Sequence, residues 1–154
     1  MADASTYRGN PRLPDCILSD HRNLEALQAQ LDAAASESKT IQTMVTDTIC
    51  LALRLRAVTD QQVLLPGLSD LLGDDQDVGK AQQQCEALLP MLDKLDAASG
   101  SEAMKLAKQA MSAALAYAQL LESGLLVKLQ QTASHTQMTS LEKMRCDAMY
   151  ALQL

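Results

Sequence analysis

The sequence contains no Trp and no Phe, and it has only three Tyr among 154 residues. Unpaired nucleic-acid bases stack on aromatic rings, so this scarcity removes one contribution to single-strand binding. Positive charge is scarce as well, because 13 Lys and Arg face 19 Asp and Glu and the net charge is −6. The chain therefore lacks the basic surface that duplex binding needs, and we expect no nucleic-acid partner.

β-Branched aliphatic residues are the next deficit, with 5 Val and 3 Ile against 27 Leu, 23 Ala and 8 Met. Leu, Ala and Met favour helices, whereas Val and Ile favour strands. The length fits one domain that buries a sizeable core. The composition predicts an all-α fold, an elongated helical bundle with a long coiled-coil-like helical hairpin.

Glycine and proline are few, and their positions divide the chain. Gly9, Pro11 and Pro14 predict an irregular N-terminal arm over residues 1–18, followed by a single helical-bundle domain over residues 19–154. Residues 19–58 contain neither Gly nor Pro, and apolar or small residues recur there at spacings of three and four. This pattern predicts one long helix with a heptad seam. The seam consists of Leu24, Leu27, Leu31, Ala34, Ser38, Ile41, Val45, Thr48, Ala52 and Leu55.

The middle of the chain reads as a turn at residues 59–62, a short helix at 64–72 with Pro66 near its start, and a loop at 73–79. A helix over residues 80–98 follows, and we expect Pro90 to bend or divide it.

Two capping-box patterns predict the starts of the last two helices. Ser99 and Glu102 precede a helix that extends to about residue 132, and Thr139 and Glu142 precede the final helix. Gly124 is the weak point of the former helix. Its predicted core stripe consists of Met104, Ala107, Met111, Ala114, Ala118, Leu121 and Leu125.

The four cysteines, Cys16, Cys50, Cys85 and Cys146, form no C-x-x-C pair and have no metal-ligand spacing. We expect free thiols in a reducing, cytoplasmic environment, with Cys50 and Cys85 buried on apolar helix faces.

Catalytic and metal-binding patterns are weak. His21 and His135 are expected at the surface, with no nucleophile and base paired beside either one. A calcium loop around Asp74, Asp75 and Asp77 does not fit in either register, because Lys80 occupies the position that requires Gly in one and Cys85 the position that requires Glu in the other. We expect no enzyme, no cofactor and no metal.

The C-terminal segment is apolar on all sides, whereas a surface helix should have a polar face. If Leu141, Met144, Ala148 and either Ala151 or Leu152 pack on the bundle, Met149 and Tyr150 point elsewhere. Either the segment is core or it binds another chain. The predicted partner-binding residues are Met144, Met149, Tyr150, Leu152 and Leu154.

The Ala-, Leu-, Gln-, Ser- and Thr-rich helices resemble bundles of the talin and vinculin type. In size and acidity the chain is similar to small helical chaperones of bacterial export systems. We expect a non-catalytic protein–protein interaction module, an adaptor or structural subunit of a larger assembly. The alternative is a small acidic export or assembly chaperone. Expected partners are other protein subunits or a second copy of the chain, without membrane insertion.

Overall fold

The computed structural model describes residues 13–153, which are helical apart from short connections and include no strand. The all-α prediction is confirmed. Five helices follow one another: α1 (Leu13–Ala34), α2 (Lys39–Thr59, Asp60–Leu64 and Leu65–Leu72), α3 (Gln76–Ala97), α4 (Gly100–Leu120, Leu121–Leu125 and Leu126–Thr132) and α5 (His135–Gln153).

The first four helices form an up-down-up-down bundle in which α4 contacts α1, α2 and α3. The fifth helix packs on α1 and α2 at one end of this bundle. It runs antiparallel to α2, because Leu141 meets Gly67 and Arg145 meets Asp60.

The bundle core is built around α4. All seven residues of its predicted stripe are buried, which confirms the predicted face of this helix. Small side chains on this stripe allow the neighbouring helices to approach closely. Cys50 and Cys85 are buried, as predicted, and their thiols donate to the carbonyls of Leu92 and Ala57 at 3.7 and 3.3 Å. Both thiols are therefore part of the contact between α2 and α3.

The predicted boundary of the N-terminal arm is wrong for residues 13–18, because α1 begins at Leu13. Pro14 lies in the first turn, where a missing backbone N–H leaves no helical bond unmade. The remainder of the predicted arm lies outside the described residues.

The single long helix predicted for residues 19–58 is also wrong, because α1 ends at Ala34 and a short connection separates it from α2. Ser38 caps α2 by accepting a hydrogen bond from the Ile41 N–H at 3.3 Å. The break falls where the heptad seam is weakest. Beyond it the helix presents a different face to the core than the seam predicted, formed by Thr46, Ile49, Cys50, Leu53 and Ala57.

Both long helices contain a π-helical segment. The turn predicted at residues 59–62 is instead a wider turn of α2 that leads directly into the segment containing Pro66. The wider turn keeps the backbone bonded, with the Leu65 N–H donating to the Asp60 carbonyl. In α4 the π-helical segment contains Gly124, the weak point that the sequence indicated.

The helix starts differ from the predicted capping boxes. Ser99 makes no side-chain cap bond. Thr139 lies inside α5, and its hydroxyl has no partner among the described residues. The helix begins one turn earlier, at a pair of cap bonds. The Ser134 N–H donates to Gln137 Oε1 at 2.8 Å, and the Gln137 N–H donates to Ser134 Oγ at 3.1 Å. This pair is a reciprocal capping box that lies before the predicted one at Thr139 and Glu142.

The third helix begins earlier than predicted, so the loop at residues 73–79 is shorter. Asp75 caps it by accepting from the Asp77 N–H at 2.8 Å. Pro90 does not divide the helix.

Among residues 13–153, one helix, Gly100–Thr132, is long and apolar enough in composition to cross a membrane. Core helices of bundles have the same property, and the Met104–Leu125 stripe of this helix lies in the core.

Candidate functional site

A buried ionic network holds α5 against the bundle. Arg145 donates from Nε to Asp60 at 3.1 Å, contacts Glu142 at 3.5 Å and binds Asp20. Tyr117 donates its hydroxyl to Asp60 at 2.8 Å. The network therefore joins α5 to α1, α2 and α4. We call Asp20, Asp60, Tyr117, Glu142 and Arg145 the ion network.

Three of the four charged side chains of this network are almost fully removed from water, and the fourth, Asp20, is 21% exposed. Asp60, Glu142 and Arg145 are 1%, 1% and 3% exposed. Burial raises the pKa of Asp60, while Arg145 and the Tyr117 hydroxyl oppose that rise. Burial acts against the charged form of Arg145 too, but the surrounding carboxylates outweigh it and raise the pKa of Arg145 above its usual value. The guanidinium therefore stays charged.

The cavity beside the ion network has a volume of about 10 Å³, enough for about one water molecule. No substrate fits between these groups. A buried network of charges that pair with one another favours one relative position of the elements it joins. We interpret the ion network as the set of contacts that determines the position of α5 on the bundle.

The surface position predicted for His21 is wrong, because this residue is 9% exposed. Its Nδ1 contacts Glu122 in the π-helical segment of α4, and its Nε2 lies 3.5 Å from Glu25. The imidazole therefore links α1 to α4 beside the ion network. His135 is exposed, as predicted.

Glu142 also contacts a thiol, since Cys146 donates to it at 3.1 Å. Burial and this carboxylate raise the pKa of Cys146 to about 11. Burial, followed by the charge of Glu142, raises the pKa of Cys16 to about 12. Both thiols are protonated at neutral pH, which makes them poor nucleophiles.

Two aspartates at the start of α3 pair with a lysine of α4. Lys128 on α4 donates to Asp75 and Asp77, with contacts of 2.8 Å to each. Hydrogen bonding to Lys128 lowers the pKa of Asp75. These carboxylates tie the start of α3 to α4.

The predicted partner-binding residues lie on or near the surface of α5. Met144, Tyr150 and Leu152 are 57%, 67% and 46% exposed, and Met149 is half-buried. Leu154 lies outside the described residues. The packing face predicted for this helix is wrong at Met144 and at its last position, because Met144, Ala151 and Leu152 are all exposed. The buried face consists of Met138, Leu141, Glu142 and Arg145.

The exposed residues surround the end of α5 and do not form one flat patch. Tyr150 lies six positions after Met144, which places the two side chains about 120° apart around the helix axis. Leu152 lies about 80° from Met144 and about 160° from Tyr150, on the side of the helix that packs on the bundle.

Comparison with models of protein families, with curated proteins and with solved structures gives no match for this chain. The function is therefore inferred from the geometry.

Proposed function

We propose that this protein is a non-catalytic interaction module that binds another protein subunit through the distal end of α5. One observation carries the proposal. Leu141 and Leu152 are eleven residues apart, about 20° around the helix axis, and so belong to the same face. Leu141 is 6% exposed and Leu152 is 46% exposed. The packing face of α5 therefore extends beyond the part of the bundle that covers it.

The ion network supports this role because it anchors the helix just before the exposed end. Arg145 is the last fully buried residue of α5, and Met149 follows it one turn later, half-buried. The anchored half positions the distal half, which reduces the conformational entropy that a binding partner must overcome.

The exposed residues suit an apolar partner. Tyr is a residue type that often dominates binding energy at interfaces, and Met adapts to irregular surfaces. Fully burying a Met or Leu side chain contributes roughly 1.5–3 kcal/mol. Lys143 and Asp147 carry opposite charges on this part of the helix, so the net charge of this end favours neither sign of partner. The partner we propose is an apolar helical surface of another subunit.

Affinity capture from native extract, followed by reconstitution with the purified captured protein, tests this proposal. The full-length chain is compared with the double variant Y150S/L152S. The matched control is Val127→Ser on α4, which changes an apolar residue of similar exposure at 47%. Loss of an interface anchor worth about 2 kcal/mol corresponds to roughly a 30-fold weaker Kd.

We expect one captured protein to bind the full-length chain and Val127→Ser equally, and Y150S/L152S at least 30-fold more weakly. A purified partner that binds the double variant as tightly as the full-length chain contradicts the proposal. So does the absence of any protein that binds the purified chain stoichiometrically.

A further inference from the structure

A second apolar surface lies on α2, on the side that faces away from the core. Leu51 is 72% exposed, whereas Leu53, about 160° away around the helix axis, is 1% exposed. Ile41 and Met44 are 41% and 63% exposed. Together with three further residues they follow one another at spacings of three and four. We call this set the α2 stripe: Ile41, Met44, Thr48, Leu51, Leu55 and Val58.

The spacing of the α2 stripe is that of the contact positions in a pair of helices. We propose that the stripe is the interface of a homodimer, in which α2 packs antiparallel on α2 of a second copy around a two-fold axis. A two-fold interface must be complementary to itself. The α2 stripe meets this condition. Its layers pair Ile41 with Val58 of the partner subunit, Met44 with Leu55 of the partner subunit, and Thr48 with Leu51 of the partner subunit, and each pairing occurs twice.

Charge selects the antiparallel arrangement. Asp47 and Arg54 lie along the same edge of the α2 stripe, each just before a contact position. In the antiparallel pair, Asp47 faces Arg54 of the partner subunit on both sides of the axis. In a parallel pair, the same residues face Ala52 and Thr59 of the partner subunit, and neither charge is matched.

Arg54 is already held at this edge. Its guanidinium contacts Asp93 on α3 at 3.0 Å, and its side chain remains 35% exposed. Leu55 and Val58, at the end of the α2 stripe nearest α5, are half-buried, so the second copy makes its widest contact with the other four positions.

Analytical ultracentrifugation of the full chain tests the homodimer. We expect a concentration-dependent dimer with a Kd at or below the order of 10 µM. Leu51→Lys places a charge in a layer next to the two-fold axis, and we expect it to weaken the Kd at least on the order of 100-fold. Because Leu51 is exposed, this variant should keep the far-ultraviolet circular dichroism of the parent. Val127→Lys on α4 is the matched control and should dimerise normally.

A charge exchange tests the direction of the helices. Asp47→Arg alone places Arg opposite Arg of the partner subunit, and Arg54→Asp alone places Asp opposite Asp. Each single variant should dimerise about tenfold more weakly, and D47R/R54D should regain most of the loss.

Three outcomes overturn the homodimer as proposed. The first is a full-length chain that stays monomeric at about 100 µM, and the second is a Leu51→Lys variant that dimerises like the parent. The third is a double exchange D47R/R54D that restores nothing, since the proposed pairing brings these two residues together. The proposal concerns α2 and is independent of binding through α5.

Discussion

At the scale of single residues, the ion network is the feature with the largest expected effect on stability. Arg145 serves three carboxylates at once, from Asp20, Asp60 and Glu142. Removing one member of a buried ionic group leaves the remaining charges without compensation, which costs more than losing the pair together.

Arg145→Met should therefore lower the free energy of unfolding by about 3–5 kcal/mol, measured by urea denaturation. The double variant D60N/R145M should lose less than the sum of the two single variants, because it removes both charges. Arg22→Met, at an exposed position of α1, is the control and should change stability by less than about 0.5 kcal/mol. A loss for Arg145→Met as small as that of the control would show that the network contributes nothing.

Cys85 predicts a dependence of stability on alkaline pH. Burial, followed by the charges of Asp60 and Glu86, raises the pKa of the Cys85 thiol from 9.0 to about 12. The unfolded chain releases this proton first. The contribution is therefore fully present below about pH 9 and is lost as pH rises towards 12.

Between pH 8 and pH 10.5, the free energy of unfolding of the parent should fall by roughly 2 kcal/mol more than that of Cys85→Ala. Urea denaturation at the two pH values measures this difference. An equal decline in both proteins would mean that the thiol has the same pKa in the folded and unfolded chains.

The sequence predicted some of these residues and missed others, for physical reasons. The burial of Cys50 and Cys85 followed from helical periodicity, which depends on local spacing. His21 and Arg145 were missed because their partners are distant in sequence, Glu122 and Asp60 being 101 and 85 residues away. Asp60 gave no signal either, because the turn predicted at residues 59–62 places its carboxylate in solvent.

At the scale of helices, Gly67 determines how closely α5 approaches α2. A Cβ added to Gly67 would overlap Cδ1 of Leu141 and lie 3.3 Å from its Cγ, and Leu141 is buried and has little room to move. Gly79 in α3 has nothing within 4 Å of an added Cβ. Gly79 is therefore a control position for Gly67, because both glycines are helical and only Gly67 lacks room for a Cβ.

Gly67→Ala should lower the free energy of unfolding by about 1–3 kcal/mol, because it forces α5 away from α2. Gly79→Ala should leave stability unchanged or raise it by up to about 1 kcal/mol, since alanine favours helix more than glycine. Thermal unfolding followed by circular dichroism distinguishes the two. If Gly67→Ala stabilised the chain as much as Gly79→Ala, the close contact with Leu141 would be disproved.

Helix boundaries illustrate what local patterns can and cannot predict. The sequence predicted α3, α4 and α5 as separate helices, but it joined α1 to the first part of α2. The predicted core stripe of α4 was correct at each position. The break after Ala34 was missed because Ser38 resembles a weak seam position as much as a helix cap. The path through Asp60–Leu64 was missed because a π-helical turn has no strong sequence signature.

At the scale of the whole molecule, the ion network holds α5 at one end of the bundle, and exposed apolar residues lie on the distal half of α5 and along the outer face of α2. The ion network fixes α5 on α1, α2 and α4, and six of the seven exposed large apolar residues of the described chain lie on α2 and α5. These are Ile41, Met44, Leu51, Met144, Tyr150 and Leu152, and the seventh is Val127. Such a distribution suits a protein that assembles with other chains.

The most direct measurement is the free energy of unfolding of a chain that ends at Asp147. This chain keeps the ion network and lacks the distal end of α5. A chain that ends at Met144 is the matched comparison, because it is only three residues shorter and lacks Arg145. If the distal end is a binding surface, the chain ending at Asp147 should lose less than about 2 kcal/mol, because residues 150–153 are exposed. The chain ending at Met144 should lose about 3–5 kcal/mol more. A chain ending at Asp147 that unfolds, or that loses as much as the shorter chain, would show that the distal end is core and would contradict a binding role for it.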